Sequence, residues 1–558
     1  MPSDAAAFPH SVASFDPTPE GVLLWTQTDD APTVEWVVAR GEDLDDVVAS
    51  GTAAVDTDGD GTVVVDADGL EPATTYHYAF TTPGGERSRV GRTRTLPAPD
   101  AAVRSLRIAM VSCANLARAP LTVARALAAV DDVDLVYHAG DYIYEDDGEK
   151  GDIAVDPPRS LVTVADYRLR YRQARRDTDL QLLHERHPMV AVWDDHDVAD
   201  NTWDDGAKGH DPEEHGDFHE RLAAANRARQ EWVPVRWPDP SDDRRLWRSV
   251  VLGDLAELVV LDTRLGGRDE QPDEGEDLDD PSRSLLSAPQ WDWASARILD
   301  RTRPWCLLAS QVPISVMEIP MPDHLDLDGP LPDGYTLRDG VALCTDQWDG
   351  YRAERDRLVS LLDRRGGGTV VLSADIHSSW VFDGPFDADL RPVAGELTGT
   401  SISSTTMGGN LGTAGAALAE RVADGMDHVR WVDLDEYGFV LVDVTPSSVE
   451  GSFWAVDPSD RSATARRMSA WSLAPSAGAR WERVDGAEDD TTGPVDDPLE
   501  IEGLPAEGPP AGGRAPAPGR SVLGKLVRVG LVVGAGVVLR PLLRSAWRGV
   551  GAARSRRR

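Results

Sequence analysis

Asp194, Asp195, His196 and Asp197 stand side by side at the end of the apolar run Met189–Trp193, and Asp200 and Asn201 follow at once. Carboxylates packed this densely repel one another, and burying one without a partner is expensive. A bound multivalent cation relieves both costs, because carboxylate, imidazole and amide oxygen are ligands for hard and borderline metals. A solvated acidic loop would relieve them too. Three other apolar runs, however, end in the same kind of residue. Leu106–Ser112 ends at Cys113, Leu135–Ala139 leads to Asp141 and Tyr144, and Thr369–Ser373 leads to Asp375 and His377. Asp141 and Tyr144 lie on one short loop, close enough to share an ion. Asp375-x-His377 puts alternate side chains on one side of an extended segment, which suits chelation. Ligands in layered α/β proteins bind where the carboxyl ends of strands converge. One Asp-x-His is usually incidental; four strand ends of this kind coincide far less easily.

The elements that must position these residues follow two grammars. From Phe8 to Pro97 short β-branched and aromatic runs alternate with turns: Val22–Gln27, Val34–Arg40, Thr62–Asp66, Thr75–Phe80 and Ser88–Thr95. Leu70-Glu71-Pro72-Ala73-Thr74-Thr75-Tyr76 resembles the corner of fibronectin type III-like sandwiches, where a tyrosine ties back to nearby backbone. The expectation is an N-terminal fibronectin/Ig-like β-sandwich, residues 8–97, with Trp25 and Trp36 in its core. Residues 95–100 are a linker by composition. From residue 104 to 483, buried-type strands alternate with helical stretches, the pattern of an α/β domain. Its helices are expected near Leu121–Val130, Asp166–Gln181 and Phe218–Val233, and residues 399–408 as a small, polar loop. Residues 484–520 turn to Asp, Glu, Gly, Pro and Ala without apolar periodicity, a disordered linker by composition.

With 96 acidic against 56 basic residues and a net charge of -40, the 558-residue chain lacks the basic surface of a general nucleic-acid binder. Its balance suits holding cations, or a saline habitat. Cys113, Cys306 and Cys344 make no disulfide framework; Cys306 and Cys344 sit among apolar residues and read as buried fillers. The start has neither a basic region nor an apolar core of signal-peptide length, so the expected compartment is cytoplasmic. Residues 521–558 form a basic, apolar tail; between Gly512 and Arg558 there is no acidic residue and there are eleven Arg or Lys. Its apolar run Val529–Leu539 is well short of the roughly 20 residues that span a bilayer. It could lie on an anionic membrane surface or be a disordered basic tail touching the acidic body.

Taken together, FPHSVASFDP at Phe8–Pro17, GDYIYE at Gly140–Glu145, WDDHDVADN at Trp193–Asn201, EWVPVR at Glu231–Arg236, LDTR at Leu261–Arg264, WDGY at Trp348–Tyr351, SADIH at Ser373–His377 and GTSISS at Gly399–Ser404 carry a resemblance. The chain resembles the PhoD-like alkaline phosphatases, metallophosphoesterases akin to purple acid phosphatases. The resemblance implies an α/β architecture, a metallophosphoesterase αββα sandwich preceded by the β-sandwich, with a multinuclear site of Fe(III) and Ca(II), though other divalent metals would also suit it. By motif match Cys113, Asp141, Tyr144, Asp375 and His377 take the iron side, with Asp141 bridging. Asp195 falls on the calcium side with Asn201 and its neighbours Asp194 and Asp197, the choice among these three staying open. His196 matches a histidine that contacts substrate or protonates the leaving group; alternatively it only orients other ligands. The chain departs from relatives at Ser14-Phe15-Asp16, where Ser-Gly-Asp is common, and in its basic tail.

The resemblance therefore implies hydrolysis of phosphate monoesters or phosphodiesters by a metal-bound hydroxide or oxide. Asp195 and His196 are its catalytic candidates. Arg168, Arg172 and Arg264 are candidates for holding phosphate, although arginines in so acidic a chain more often pair with surface carboxylates. The expected partner is a small phosphoester or phosphodiester. A membrane-associated protein of the same fold that binds metal or phosphate without turnover is the alternative. A purely structural calcium protein would leave Cys113 and Tyr144 unexplained.

Overall fold

Strand alternation sorts the apolar residues into layers. The computed structural model describes residues 6–484, apart from 149–150, 240, 243, 274–275, 318, 321–334, 339–340, 388 and 412–425. The linker and basic tail expected beyond residue 484 lie outside the described residues.

A ten-stranded sheet forms the first layer. Its middle is parallel: β8 (Leu106–Val111), β9 (Leu135–His138) and β10 (Met189–Ala191), with β9 between the others. A seven-stranded sheet forms the second layer. It holds β11 (Arg248–Leu252), β12 (Ala256–Val260), β13 (Trp305–Ala309), β14 (Thr369–Ser373), β15 (Ser379–Phe382), β16 (Gly395–Thr398) and β17 (Val429–Asp433). In it β12, β13, β14 and β16 run parallel. Successive side chains of a strand face opposite ways, and here the two faces meet different partners. Leu258, Val260, Leu307, Val370 and Leu372 join a core with Ile108, Met110 and Val136 of the first sheet. Their neighbours Val259, Leu308 and Val371 pack instead with Ile298 and Leu362. Those two belong to helices at Ala288–Leu299 and Arg352–Arg365. Two sheets thus share one core with helices outside, the αββα arrangement.

On the other side the first sheet is covered by α1 (Thr122–Ala128), α2 (Val164–Arg175) and α3 (Thr178–Arg186). The single helix expected over Asp166–Gln181 is two. Asp177 caps α3, accepting from the amides of Asp179 and Leu180, and an N-cap ends one helix by starting the next.

The N-terminal sandwich is present but is not separate. Its outer sheet is β4 (Val47–Ala54), β3 (Thr33–Ala39), β6 (Thr75–Thr81) and β7 (Gly91–Arg94) in that order. Its inner sheet, β1 (Val12–Phe15), β2 (Val22–Gln27) and β5 (Thr62–Ala67), continues the ten-stranded sheet, because β1 pairs parallel with β10 at Phe15 and Met189. Val12, Val22, Leu24 and Val65 face the sandwich core, while Ala13, Phe15, Leu23 and Trp25 face the α/β core. Trp25 is therefore core, as expected, but of the other domain. The tyrosine corner forms: the Glu71 amide donates to the Tyr76 hydroxyl at 2.9 Å. Among the described residues no helix is long and apolar enough to cross a membrane.

Candidate metal centre

The parallel strands of both sheets deliver their following loops to one rim. Cys113 follows β8, Asp141 and Tyr144 follow β9, and Asp194 to Asn201 follow β10. From the second sheet Arg264 follows β12, Asp375 and His377 follow β14, and Thr405 follows β16. The turns are sharp. Cys113, Asp141, Asn201, Asp375 and His377 all have left-handed backbone, φ +50° to +72°, a region most side chains avoid. Gly140 is required where the loops cross: a Cβ there would lie 2.4 Å from the Asp194 amide nitrogen and Cβ.

Donor atoms gather into three overlapping groups, each within 4.8 Å: Cys113, Asp141 and His377; Asp141, Asp195 and His196; Asp194, Asp195 and Asp375. Asp141 and Asp195 each serve two groups. The Tyr144 hydroxyl lies 3.1 Å from His377 Nε2, whose other ring nitrogen lies 3.0 Å from the Thr405 carbonyl oxygen. That carbonyl takes the Nδ1 proton and leaves Nε2 with its lone pair facing the group, the usual orientation for a ligating imidazole. His196 stacks on Tyr144 at 4.1 Å between ring centres, and its Nδ1 sits 2.7 Å from the Glu145 carboxylate. Asp141, Tyr144, Asp195, His196, Asp375 and His377 border a cavity of about 470 Å³, with Cys113 and Asp194 buried behind its wall.

Family comparison places the chain as a whole. The model of the PhoD-like phosphatases matches residues 108–453, and that of the PhoD-like phosphatase N-terminal domain matches residues 1–97. The chain belongs to the PhoD-like phosphatase family. It is 32% identical over 467 residues to Alkaline phosphatase D of Bacillus subtilis (strain 168), covering 79% of this chain and 76% of that protein. A solved structure of PhoD superposes with a TM-score of 0.74 at 28% identity, covering 88% of this chain and 95% of that one. This PhoD-like phosphatase is a phosphoric ester hydrolase with a metallophosphoesterase-like fold.

The electrostatics of the rim fit bound cations. Burial pushes the Cys113 thiol and the Tyr144 phenol well up, and the Asp141 carboxylate beside them adds to it. Burial, followed by Asp195, drives Asp141 well up as well. Burial lifts Asp375 to about 8 against the pull of Arg264. Protonated thiol, phenol and carboxyl groups in one pocket are what a metal site holds before the ion displaces its protons. Asp195 goes the other way: burial raises it, but Arg264, His196 and the backbone amides of Asn201 and His196 together outweigh burial and hold it at about 2. Its Oδ1 is buried without a hydrogen-bond partner among the described residues, the Arg264 guanidinium standing 3.6 Å away, so this anionic oxygen has room for a second cation. His377 is pushed down to about 4 by burial and then by His196, so it is neutral and able to ligate. Burial lowers His196, but Glu145, Asp195 and Asp141 raise it well above the usual imidazole value, so it carries a proton.

Several expected residues stand elsewhere. Asp197 does not face the cavity: its Oδ2 accepts the amides of Asp141 and Asp194 at 2.9 and 3.0 Å and its Oδ1 that of Tyr142 at 3.1 Å. It braces the two loops, and its oxygens are spent on backbone. Asn201 borders the cavity, and its backbone N–H donates to Asp195 Oδ2 at 2.6 Å. Arg168 and Arg172 are not phosphate ligands here. Arg168 is paired with Glu231 at 2.6 Å, and Arg172 with Asp60 at 2.8 Å and Asp29 at 3.1 Å. Both fasten α2 to its surroundings, Arg172 to the turns of the sandwich. Arg264 reaches the site but is enclosed. It bonds Asp194 through Nε, Asp346 through Nη1 at 2.5 Å and Asp375 through Nη2 at 2.5 Å, with Asp195 at 3.6 Å. It is a resident cation among carboxylates rather than a free anion holder.

Sequence reasoning missed the segment Cys344–Gln347. Cys344, expected as an apolar filler, borders the cavity with Asp346 and Gln347, whereas Cys306 does pack in the core between sheet and helices. The signal was present: Val341–Cys344 is another apolar run ending in an acid, Asp346. Glu145, inside a recognised motif, was passed over as the partner of His196.

Proposed function

We propose that this chain hydrolyses phosphate monoesters and phosphodiesters at a multinuclear centre. Cys113, Asp141, Tyr144, Asp375 and His377 would hold Fe(III); Asp195, with Asn201 and Asp194 nearby, would hold Ca(II). The observation that carries the reading is that Asp141 belongs at once to the group of Cys113 and His377 and to that of Asp195 and His196, and Asp195 in turn to the all-carboxylate group with Asp194 and Asp375. Thiolate and phenolate suit a redox-active transition metal, and an oxygen-rich neighbour suits a hard cation. When bound, such ions polarise phosphoryl oxygens and acidify water.

The chain's own residues supply the rest. His196, kept protonated by Glu145, is placed to give its proton to the leaving-group oxygen. Thr405 fixes the His377 ring. Arg264 balances part of the carboxylate charge, so the ions need not neutralise all of it. The reading without turnover is not favoured, since nothing in the donor set is missing. The compartment is proposed as cytoplasmic, with residues 521–558 as a contact for an anionic membrane surface.

The test is hydrolysis of an aryl phosphate and an aryl phosphodiester by protein purified without added metal, with and without chelator. Elemental analysis runs alongside. About one equivalent of iron with calcium, and activity lost on chelation, support the reading. Activity that survives metal removal sinks it.

A further inference from the structure

Gln347 is 1% exposed and borders the metal cavity, yet neither its Oε1 nor its Nε2 has a hydrogen-bond partner among the described residues. Two buried glutamines outside the cavity, bonded to the segment after β12, behave differently. Gln311 Oε1 accepts from the Thr263 amide and hydroxyl, and its Nε2 donates to the Leu261 carbonyl. Gln290 Oε1 accepts from the Asp262 amide, and its Nε2 donates to the Asp262 carbonyl. Leaving a buried polar group unpaired costs about 1–3 kcal/mol, so a primary amide with both ends idle is an unusual expense.

The backbone beside it is pinned. Asp346 is clamped by Arg264 and Arg268, each at 2.5 Å, and its carbonyl accepts from Arg268 at 2.9 Å. The Gly350 amide donates to the Gln347 carbonyl at 2.9 Å, and a Cβ on Gly350 would sit 2.0 Å from the Thr345 carbonyl oxygen. The side chain is therefore presented by a turn with little freedom to withdraw. The wall around it is rich in carboxylates: Asp195, Asp346 and Asp375 border the same cavity. A neutral amide is the group that can donate to an anionic guest there without competing with the cations for those carboxylates.

We propose that Gln347 is a substrate-binding residue, its Nε2 donating to a non-bridging oxygen of the substrate's phosphoryl group. The inference rests on the reading of the cavity as a phosphoester site. A residue kept for a guest costs the empty protein stability, so stability and binding should respond in opposite directions to its removal.

The experiment compares wild type with Gln347→Met, which keeps the length and removes both polar ends, and with Gln347→Glu. Three things are measured: metal content, melting temperature, and affinity for inorganic phosphate by calorimetry, which needs no turnover. The kinetics of an aryl phosphate follow. Gln347→Met should keep its metal, melt at or above the wild-type temperature, and bind phosphate about tenfold more weakly. The loss in kcat/KM should fall mainly on KM. Gln347→Glu should bind phosphate more weakly still, since an anion then faces an anion. Unchanged phosphate affinity in both variants overturns the proposal. So does loss of metal, which would make Gln347 a ligand, or a lower melting temperature with unaltered binding, which would make it structural. A wild type that binds no phosphate and hydrolyses nothing would instead remove the functional reading beneath it.

Discussion

Cys113, Asp141, Asn201, Asp375 and His377 share a backbone conformation that costs a non-glycine residue roughly 1–2 kcal/mol each. Asn, Asp and His occur there more often than other side chains, which leaves Cys113 the least accommodated of the five. The strain aims each side chain off the end of its strand and into the rim, and such strain collects at functional sites. Replacing Asp141 by Ala should abolish hydrolysis and lower metal content while the fold, followed by circular dichroism, stays intact; a variant that keeps its activity would contradict the bridging position. A pH effect has the same origin. Asp197 is lifted to about 6 and Asp375 to about 8, each chiefly by burial, and His196 is raised by Glu145 and Asp195 although burial opposes it. All three hold protons more tightly folded than unfolded, so their stabilising contribution is full at low pH and drains as pH rises. Below about pH 6.5 His377 and the other buried histidines, held neutral by burial, work the other way, so in chelator the melting temperature should fall from pH about 6.5 to about 8, where Asp375 and His196 lose their protons. Added metal should abolish or reverse that fall, because the ion replaces the protons. The convergence of strand ends could be read from the sequence because an apolar run ending in Asp, His or Cys is a local signal. The enclosure of Arg264 could not, since an arginine after a strand reads the same whether it faces solvent or four carboxylates.

Between elements, the work of Arg168 and Arg172 is mechanical. From α2 they reach the turn Asp56–Gly61 of the sandwich: Arg168 donates to the Asp58 carbonyl, and Arg172 to the Asp60 carboxylate and carbonyl. Trp232 Nε1 adds a bond to Asp60 at 3.1 Å. Charge-assisted hydrogen bonds of this kind contribute about 1.5–3 kcal/mol each, less where water reaches them. Arg172→Ala should lower the melting temperature by a few degrees and leave KM for an aryl phosphate unchanged; a rise in KM with unaltered stability would restore Arg172 to the phosphate. Most strands could be read in advance, because β-branched and aromatic runs between turn residues are distinctive. β1 and β4 could not. β1 is four residues beside a Pro-His-Ser start, and β4, VVASGTAA, is mostly small residues on an exposed strand. The break between α2 and α3 was hidden because Asp177 is equally at home in a helix surface and in a cap.

At the scale of the whole molecule the two layers and the family were legible, and the division at residue 97, where the two family models also part, is crossed by a continuous sheet. Composition marks a linker there, but strand pairing between Phe15 and Met189 is invisible to any local pattern. Removing residues 1–97 should therefore fail to give a soluble phosphatase, because it bares the β10 edge and the apolar face that Phe15, Leu23 and Trp25 cover. Removing everything after Arg520 should spare kcat and KM and change only where the protein sits; an inactive truncated enzyme would refute that.

The pairing of β1 with β10 also sets an order of events on the ribosome. β1 leaves the exit tunnel well before its parallel neighbour, which is translated only after the whole sandwich and the first helices have emerged. Until Met189 appears, the nascent chain carries an open strand edge and a bare tryptophan surface, the conditions under which holdase chaperones are needed.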